Sequence, residues 1–257
     1  MIESKFFMLC LIVTDKTVDY NTERKVLSVR ENRTKCIIII GFLYVFMKFK
    51  YHALKLSLFI VVVFLFQIFF NGFTEMFILN MLSWQQPWRF LTAIFLHGGL
   101  GHLILNLFAL SLFGSILEKF VGGNRMLLVF IAAGILANLV SVNFYDSSLG
   151  ASGAIFGILG ALILIRPMMA VWAFGMPMPI FVAGILWAGA DLVGVYGFFM
   201  GNPIDNTGNL AHLSGLFFGL LFGIWLRRYF RQRHIRKINV SIDEGEIRNW
   251  EKIYMGR

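Results

Sequence analysis

A serine in a glycine-rich turn is the first residue whose setting suggests chemistry. Ser152 lies in the segment Gly150-Ala151-Ser152-Gly153, which opens an uncharged run that ends before Arg166. A serine at the start of a helix often caps it, because its hydroxyl bonds an unpaired backbone N–H. The flanking glycines also permit a sharp bend and a close approach by another chain, as a nucleophile on a tight turn requires. The motif alone leaves both interpretations open.

A histidine further along the chain lies in a similar setting. His212 also opens an uncharged run, and both runs carry small residues at every fourth position. These residues are Gly153, Gly157 and Ala161 in the first run and Ala211, Gly215, Gly219 and Gly223 in the second. Such faces let membrane helices pack closely. Packing with matching ends would bring the Ser152 hydroxyl to the His212 imidazole, as activation by a base requires. The alternative is ordinary helix packing in which Ser152 and His212 have no chemical role.

Two more polar residues share one face of a third apolar run. His102 and Asn106 are four residues apart, so a helix places them on the same side. Acyl transfer needs donors for the oxyanion, and imidazole and amide groups can serve. The alternative is a hydrogen bond between helices. A metal site built from His97, His102 and His212 is disfavoured, because no carboxylate or cysteine stands beside them at ligand spacing.

The composition is that of a multi-span membrane protein. The chain has 257 residues, 58% hydrophobic and 14% charged, and its mean hydropathy is +0.74. It is too apolar for a soluble domain. Its two cysteines, Cys10 and Cys36, provide neither a disulfide framework nor a metal-ligand cluster. The net charge of +9 is concentrated at particular ends, so we interpret it as a topology signal and not as a nucleic-acid-binding surface.

Hydropathy predicts an all-α membrane protein with six transmembrane helices. Four spans are predicted at about residues 54–70, 101–119, 126–144 and 179–199, and the others are the serine helix to about Arg166 and the histidine helix to about Trp225. Residues 71–89 are too irregular for a span and suit the membrane interface. Residues 1–46 are predicted to be an N-terminal extension, either interfacial or not translated, because Met47 is followed by lysines and the first span. Residues 47–230 form the membrane domain, and residues 231–257 a basic and then polar cytoplasmic tail.

Basic residues fall in alternate loops. They precede the first span, lie between the second and third and between the fourth and fifth, and follow the sixth. Because Lys and Arg favour the cytoplasmic side, we expect a cell-membrane protein with both termini cytoplasmic, which six spans satisfy. Ser152 and His212 then open their helices from the same, non-cytoplasmic side. The distribution of basic residues among the loops therefore supports, independently of the motifs, a position of Ser152 close to His212.

With these residues assembled, the chain resembles the rhomboid family of intramembrane serine proteases over about residues 47–228. The resemblance rests on the segment Gly150-Ala151-Ser152-Gly153, on Ala211-His212 with Gly215 and Gly219, on His102 with Asn106, and on Trp88-Arg89 and Glu118. It implies a six-helix rhomboid-like bundle in which Ser152 is the nucleophile and His212 the general base. Trp88 and Arg89 would belong to a loop lying partly in the membrane, with Arg89 or Glu118 structural.

The resemblance also implies roles for the surrounding residues. His102, Asn106 and the Ser152 backbone N–H would form the oxyanion hole, with Gly150 in the supporting turn. Members of the family often carry Tyr four residues after the serine, stacked beside the catalytic histidine. This chain has Phe156 there, which keeps the ring and lacks the hydroxyl.

A third catalytic acid is not predicted. Neither Asp191 nor Asp205 lies at a sequence spacing that predicts contact with His212. We therefore expect a Ser–His dyad whose histidine is oriented by packing, including contact with Phe156. An intramembrane aspartyl protease using Asp146 and Asp191 is a poor alternative, because its G-x-G-D element is missing.

The sequence-based hypothesis is a serine endopeptidase that hydrolyses peptide bonds of membrane-anchored proteins at or near the non-cytoplasmic surface. Its partners would be transmembrane substrates and the lipid bilayer, with no nucleic acid, cofactor or metal. The fifth span and residues 201–208 are expected to form a moving gate. The alternatives are a rhomboid-like non-catalytic protein that binds transmembrane clients, and a transporter, which would show inverted repeats or charged residues near the midplane.

Overall fold

Helices dominate the computed structural model, which describes residues 51–173, 175–202, 208–237 and 244–256. The helices are α1 (His52–Phe69), α2 (Phe73–Phe77), α3 (Arg89–Thr92), α4 (Leu100–Ala109), α5 (Ser115–Val121), α6 (Gly123–Ser141), α7 (Ser152–Ile165), α8 (Ile180–Phe199), α9 (Asn209–Lys237) and α10 (Glu244–Tyr254). A π-helical turn, Leu110–Gly114, joins α4 to α5, and 3₁₀ turns cover Met81–Trp84 and Ala93–Phe95. Strand β1 (Leu79–Asn80) pairs antiparallel with β2 (Ser147–Ser148), and β3 (Ala170–Ala173) pairs antiparallel with β4 (Met176–Pro179). The predicted N-terminal extension, residues 1–46, lies outside the described residues.

Within the part of the chain that the structure describes, five helices are long and apolar enough to cross a membrane. They are His52–Phe69, Leu100–Val121, Gly123–Ser141, Ile180–Phe199 and Asn209–Tyr229. These bounds agree with five of the six predicted spans to within a few residues, and the sixth is the shorter apolar helix α7. The prediction of an all-α, multi-pass membrane protein is therefore confirmed.

Helix α7 is the short central helix of the bundle. It has 14 residues, nine of them buried, and it packs between α6 and α9. A helix that is apolar on every side belongs in the interior, which explains this position. Its length is about 21 Å at 1.5 Å per residue, whereas the hydrocarbon core of a bilayer is about 30 Å thick. If its far end reaches one membrane interface, α7 begins below the opposite one.

The small-residue faces of α7 and α9 are in direct contact. A Cβ atom added at Gly215 would overlap the carbonyl oxygen of Gly153, and one added at Gly219 would overlap that of Gly157. Because the contacts advance in the same direction on both helices, α7 and α9 run parallel. The predicted packing along these faces is thus confirmed, and both helices begin at the same end of the bundle.

Polar side chains tie down the irregular segment before α4. The buried Arg89 donates through Nη1 to the carbonyl oxygens of Glu75 and Ile78 at 2.9 and 2.8 Å. The side chain of Gln67 on α1 accepts from the His97 N–H at 2.9 Å and donates to the His97 carbonyl at 3.3 Å. Residues 71–89 form short helices, turns and strand β1, so the prediction that they are not a span is confirmed.

Glu118 caps the start of α1. Its Oε1 accepts from the His52 backbone N–H at 2.8 Å and from His52 Nδ1 at 2.9 Å, and its Oε2 accepts from the Ala53 N–H at 3.0 Å. The first N–H groups of a helix have no acceptor within it, so the carboxylate satisfies them. Glu118 follows His102 by 16 positions along α4 and α5, which corresponds to about 24 Å. The cap therefore lies far from the predicted site.

Candidate active site

A cavity opens where α7 and α9 begin. Its volume is about 1340 Å³. Ser152 and His212 both line it, together with His102 and Asn106 from α4. The four residues with predicted chemical roles thus come from three different helices and share one cavity. Their catalytic roles remain predictions.

Ser152 is the first residue of α7. The N-cap position belongs to Ala151, which makes no side-chain cap bond, so the structure does not support capping by Ser152. The Ile155 N–H donates to the Ala151 carbonyl at 3.0 Å, which is the first hydrogen bond of the helix. The Ser152 N–H precedes this bond and has no acceptor within α7. The hydroxyl and the backbone N–H of Ser152 are therefore both at the start of the helix, beside the cavity.

The glycine before the serine leaves room for His102. Gly150 has φ +127°, a conformation that favours glycine. Its N–H donates to the carbonyl oxygen of Ala93 at 2.9 Å. A Cβ atom at Gly150 would lie 2.7 Å from Cε1 of the His102 ring. The turn and the imidazole therefore fit together only because position 150 has no side chain.

His102 and Asn106 lie on the same face of α4, as their spacing predicts. Nδ2 of Asn106 donates to the His102 carbonyl oxygen at 2.8 Å, so its own helix orients the amide. Asn106 is buried, whereas His102 is partly exposed. An amide and an imidazole thus both lie at the cavity wall, and each can provide a hydrogen-bond donor.

Two contacts hold the His212 ring. Phe156 stacks against it, with ring centroids 4.4 Å apart and an angle of 4° between the planes. Nδ1 of His212 lies 3.0 Å from Oδ1 of Asp191 on α8. The sequence-based expectation that Asp191 is not tied to His212 was wrong. Helices α8 and α9 are in contact, and the side chains of Asp191 and His212 meet across them.

One feature of the sequence could have identified Asp191. It is a charged residue within an otherwise uncharged span, and such residues in membranes are expensive and usually functional. Two other residues at the site were not predicted. The Tyr145 hydroxyl accepts from the Leu210 N–H at 3.2 Å, and the buried Asn209 lines the cavity. Asp205 lies outside the described residues.

His97 lies beside His102 and is buried. Its ring centroid is 5.0 Å from that of His102, and its side chain is 2% exposed. Burial, followed by the nearby His102, lowers the pKa of His97 to about 4, although a hydrogen bond with the Phe95 carbonyl opposes the shift. Among the residues that the structure describes, no three His, Cys, Asp or Glu side chains are grouped so that they could hold a metal ion.

Several known proteins are similar to this chain. It is 38% identical over 144 residues to Rhomboid protease GluP of Bacillus subtilis (strain 168), a match that covers 54% of this chain and 26% of that protein. It is 34% identical over 161 residues to Rhomboid-like protein 11, chloroplastic, of Arabidopsis thaliana, covering 59% and 55% respectively. Rhomboid protease GlpG of Yersinia pseudotuberculosis is 25% identical over 159 residues, again covering 59% and 55%.

These matches span from about a quarter to just over half of the relatives' own lengths. A family model described as the Rhomboid domain matches residues 84–229. The matched region contains all four residues with predicted chemical roles and the contact between α7 and α9. Since it covers more than half of the chain, this multi-pass membrane protein belongs to the rhomboid family.

Proposed function

We propose that the protein is an intramembrane serine endopeptidase that hydrolyses peptide bonds of membrane-anchored substrates. One observation carries the proposal: Ser152 and His212 line the same cavity at the common end of two tightly packed, parallel helices. The packing of the two helices thus supports a serine hydroxyl and a histidine imidazole acting within one cavity. Membership of a family that includes named proteases supports the same reaction class.

The reaction would proceed by acyl transfer. His212 takes the proton of the Ser152 hydroxyl, and Oγ attacks the carbonyl carbon of the scissile peptide bond. The carbonyl oxygen becomes an oxyanion that receives hydrogen bonds from His102, Asn106 and the Ser152 N–H. The C–N bond then breaks, and His212 gives its proton to the leaving amine. Water hydrolyses the acyl-enzyme by the same steps and restores the Ser152 hydroxyl.

The short helix α7 supports cleavage below the membrane surface. A helix of about 21 Å in a core of about 30 Å leaves space above Ser152, and the polar residues of the cavity favour water there. A substrate helix must unwind to reach the serine, because its peptide bonds are shielded by the helical turns. We therefore expect cleavage near helix-breaking residues, with small side chains beside the cut. Helix α8 and residues 201–208 are our proposed gate, although residues 203–207 lie outside the described residues.

The orientation of the protein is part of the proposal. The loops on the side opposite the cavity carry most of the basic residues, so we place the cavity on the non-cytoplasmic face and both termini in the cytoplasm. The basic residues that follow the last span would then lie beside anionic lipid of the inner leaflet. The membrane domain is proposed to cover residues 47–230.

The test compares wild-type protein with Ser152→Ala in liposomes, using a fluorophosphonate probe and a model single-span substrate. We expect labelling and cleavage by the wild type, and neither by the variant. Cleavage that persists in Ser152→Ala would disprove the nucleophile assignment. A folded wild type that neither labels nor cleaves would instead favour a non-catalytic protein that binds transmembrane clients.

A further inference from the structure

Asp191 contacts His212 at Nδ1, which leaves the other ring nitrogen, Nε2, for the proposed role with Ser152. Its Oδ1 lies 3.0 Å from Nδ1, and both side chains are largely buried, at 9% and 15% exposed. A carboxylate only accepts hydrogen bonds, so its partner at Nδ1 must be a donor. With the proton on Nδ1, a neutral imidazole has Nε2 free to accept. That is the tautomer a general base needs.

The hydrogen bonding of Asp191 differs from that of a purely structural carboxylate. Glu118, which caps α1, receives three hydrogen bonds through its two oxygens. By contrast, Oδ2 of Asp191 is buried and has no hydrogen-bond partner among the described residues. A buried, unpaired oxygen costs free energy. A packing role alone does not explain a buried acid whose Oδ1 contacts His212 while its Oδ2 has no partner among the described residues.

Phe156 and Asp191 constrain the ring in complementary ways. The Phe156 ring lies parallel to the imidazole at 4.4 Å, which fixes the plane of the ring. Stacking leaves the ring free to rotate within that plane and does not select a tautomer. The hydrogen bond at Nδ1 removes that rotation and determines which nitrogen carries the proton.

We propose that Asp191 is the positioning residue of a Ser152–His212–Asp191 triad, an inference that rests on the proposed serine protease function. Asp191 keeps the proton of neutral His212 on Nδ1. It also stabilises the imidazolium that forms when Nε2 takes the proton of Ser152. It does not take a proton itself, as in the serine protease triads known from other folds.

The kinetic test replaces Asp191 with Asn. The Asn amide keeps the shape but can donate a hydrogen bond to Nδ1, which favours the tautomer with its proton on Nε2. We expect kcat for a single-span substrate to fall by about 10²–10⁴-fold with KM nearly unchanged, by analogy with loss of the acid from other triads. Glu75→Gln is the matched control, because it neutralises an exposed acid on α2. The control should retain wild-type kcat.

A second measurement reads the histidine directly and needs no catalysis. In protein labelled with ¹⁵N-histidine, the ring nitrogen shifts distinguish the two tautomers, and His212→Asn identifies the signal. We expect the proton on Nδ1 in the wild type and a shift towards Nε2 in Asp191→Asn. A wild-type His212 protonated on Nε2 overturns the proposal even if the variant fails to fold.

The two proposals fail in different ways. Wild-type kcat in a folded Asp191→Asn, alongside an inactive Ser152→Ala, removes the triad and leaves the serine protease. Loss of thermal stability with unchanged kcat would make Asp191 structural and would also remove the triad. No labelling or cleavage by the wild type overturns both, whichever tautomer is found.

Discussion

At the scale of single residues, the two donors on α4 are expected to stabilise the transition state. His102→Ala and Asn106→Ala should each lower kcat by about 10²–10³, the effect of removing one oxyanion donor in other enzymes. Both side chains line the cavity, and neither contacts His212 through any described hydrogen bond. Cleavage of a single-span substrate in liposomes measures the change.

Ile104→Ala is the matched control for this prediction. Ile104 lies on the same helix between the two donors, and it is 54% exposed. Its truncation should leave kcat close to that of the wild type. Normal turnover by the His102→Ala, Asn106→Ala double variant would remove the oxyanion assignment.

His97 should make stability depend on pH. Its folded-state pKa of about 4 lies below the ordinary value of 6.5, because burial disfavours the charged ring. As the pH falls, His97 therefore takes up a proton in the unfolded chain before it does so in the folded protein. The contribution of His97 is fully present above pH 6.5 and is lost as the pH falls towards 4. The shift corresponds to about 3 kcal/mol.

Thermal unfolding in detergent micelles at pH 7.5 and pH 4.5 measures this effect. The comparison protein is His97→Gln, which has no group that titrates at this position. Protonation of histidines that do not contact His97 contributes to both proteins alike. We expect the wild type to lose more stability on acidification than the variant, and equal losses would mean that His97 is charged in the folded protein.

At the scale of helices, the contact between α7 and α9 should tolerate no added atoms. Gly215→Ala would drive a methyl group into the carbonyl oxygen of Gly153 and separate the helices. Overpacking of this kind costs about 1–3 kcal/mol, and it would move His212 away from Ser152. We expect a lower melting temperature together with a lower kcat.

Gly189→Ala on α8 is the control for that substitution. A Cβ atom there would meet nothing within 4 Å, so the same chemical change adds no overlap. The control should keep both its melting temperature and its turnover. Equal effects of the two substitutions would show that loss of glycine, and not the approach of the helices, causes the defect.

The helical contacts also show which features could be predicted from sequence. The packing of α7 on α9 was predictable, because small residues at every fourth position mark one face of each helix. The position of Ser152 and His212 at one end of the bundle was predictable from loop charges. The bond between Asp191 and His212 was not, because it depends on the tilt and rotation of α8. Hydropathy predicts that a span exists but does not determine which of its faces meets α9.

At the scale of the whole molecule, basic residues from separate segments gather at one end. Nη2 of Arg125, in the first turn of α6, donates to the Tyr229 hydroxyl on α9 at 2.8 Å. The Arg166 guanidinium, at the end of α7, lies 5.1 Å from the centre of the Phe120 ring. Two of the helices in these contacts, α7 and α9, begin beside the cavity, which lies at the opposite end of the bundle. The asymmetry of charge is thus a property of the folded bundle.

This asymmetry leads to an expected orientation that single cysteines can test. The native Cys10 and Cys36 are first replaced by Ser, and Asn71→Cys and Asn124→Cys are then made separately in that background. Both positions are exposed, Asn71 after α1 and Asn124 in the first turn of α6. With the basic end in the cytoplasm, an impermeant maleimide on intact cells should label Asn71→Cys and should label Asn124→Cys only after permeabilisation. Cleavage activity in each variant provides the folding control. The reverse labelling pattern would place the cavity on the cytoplasmic face, and the proposed cleavage of substrates would then occur on that side.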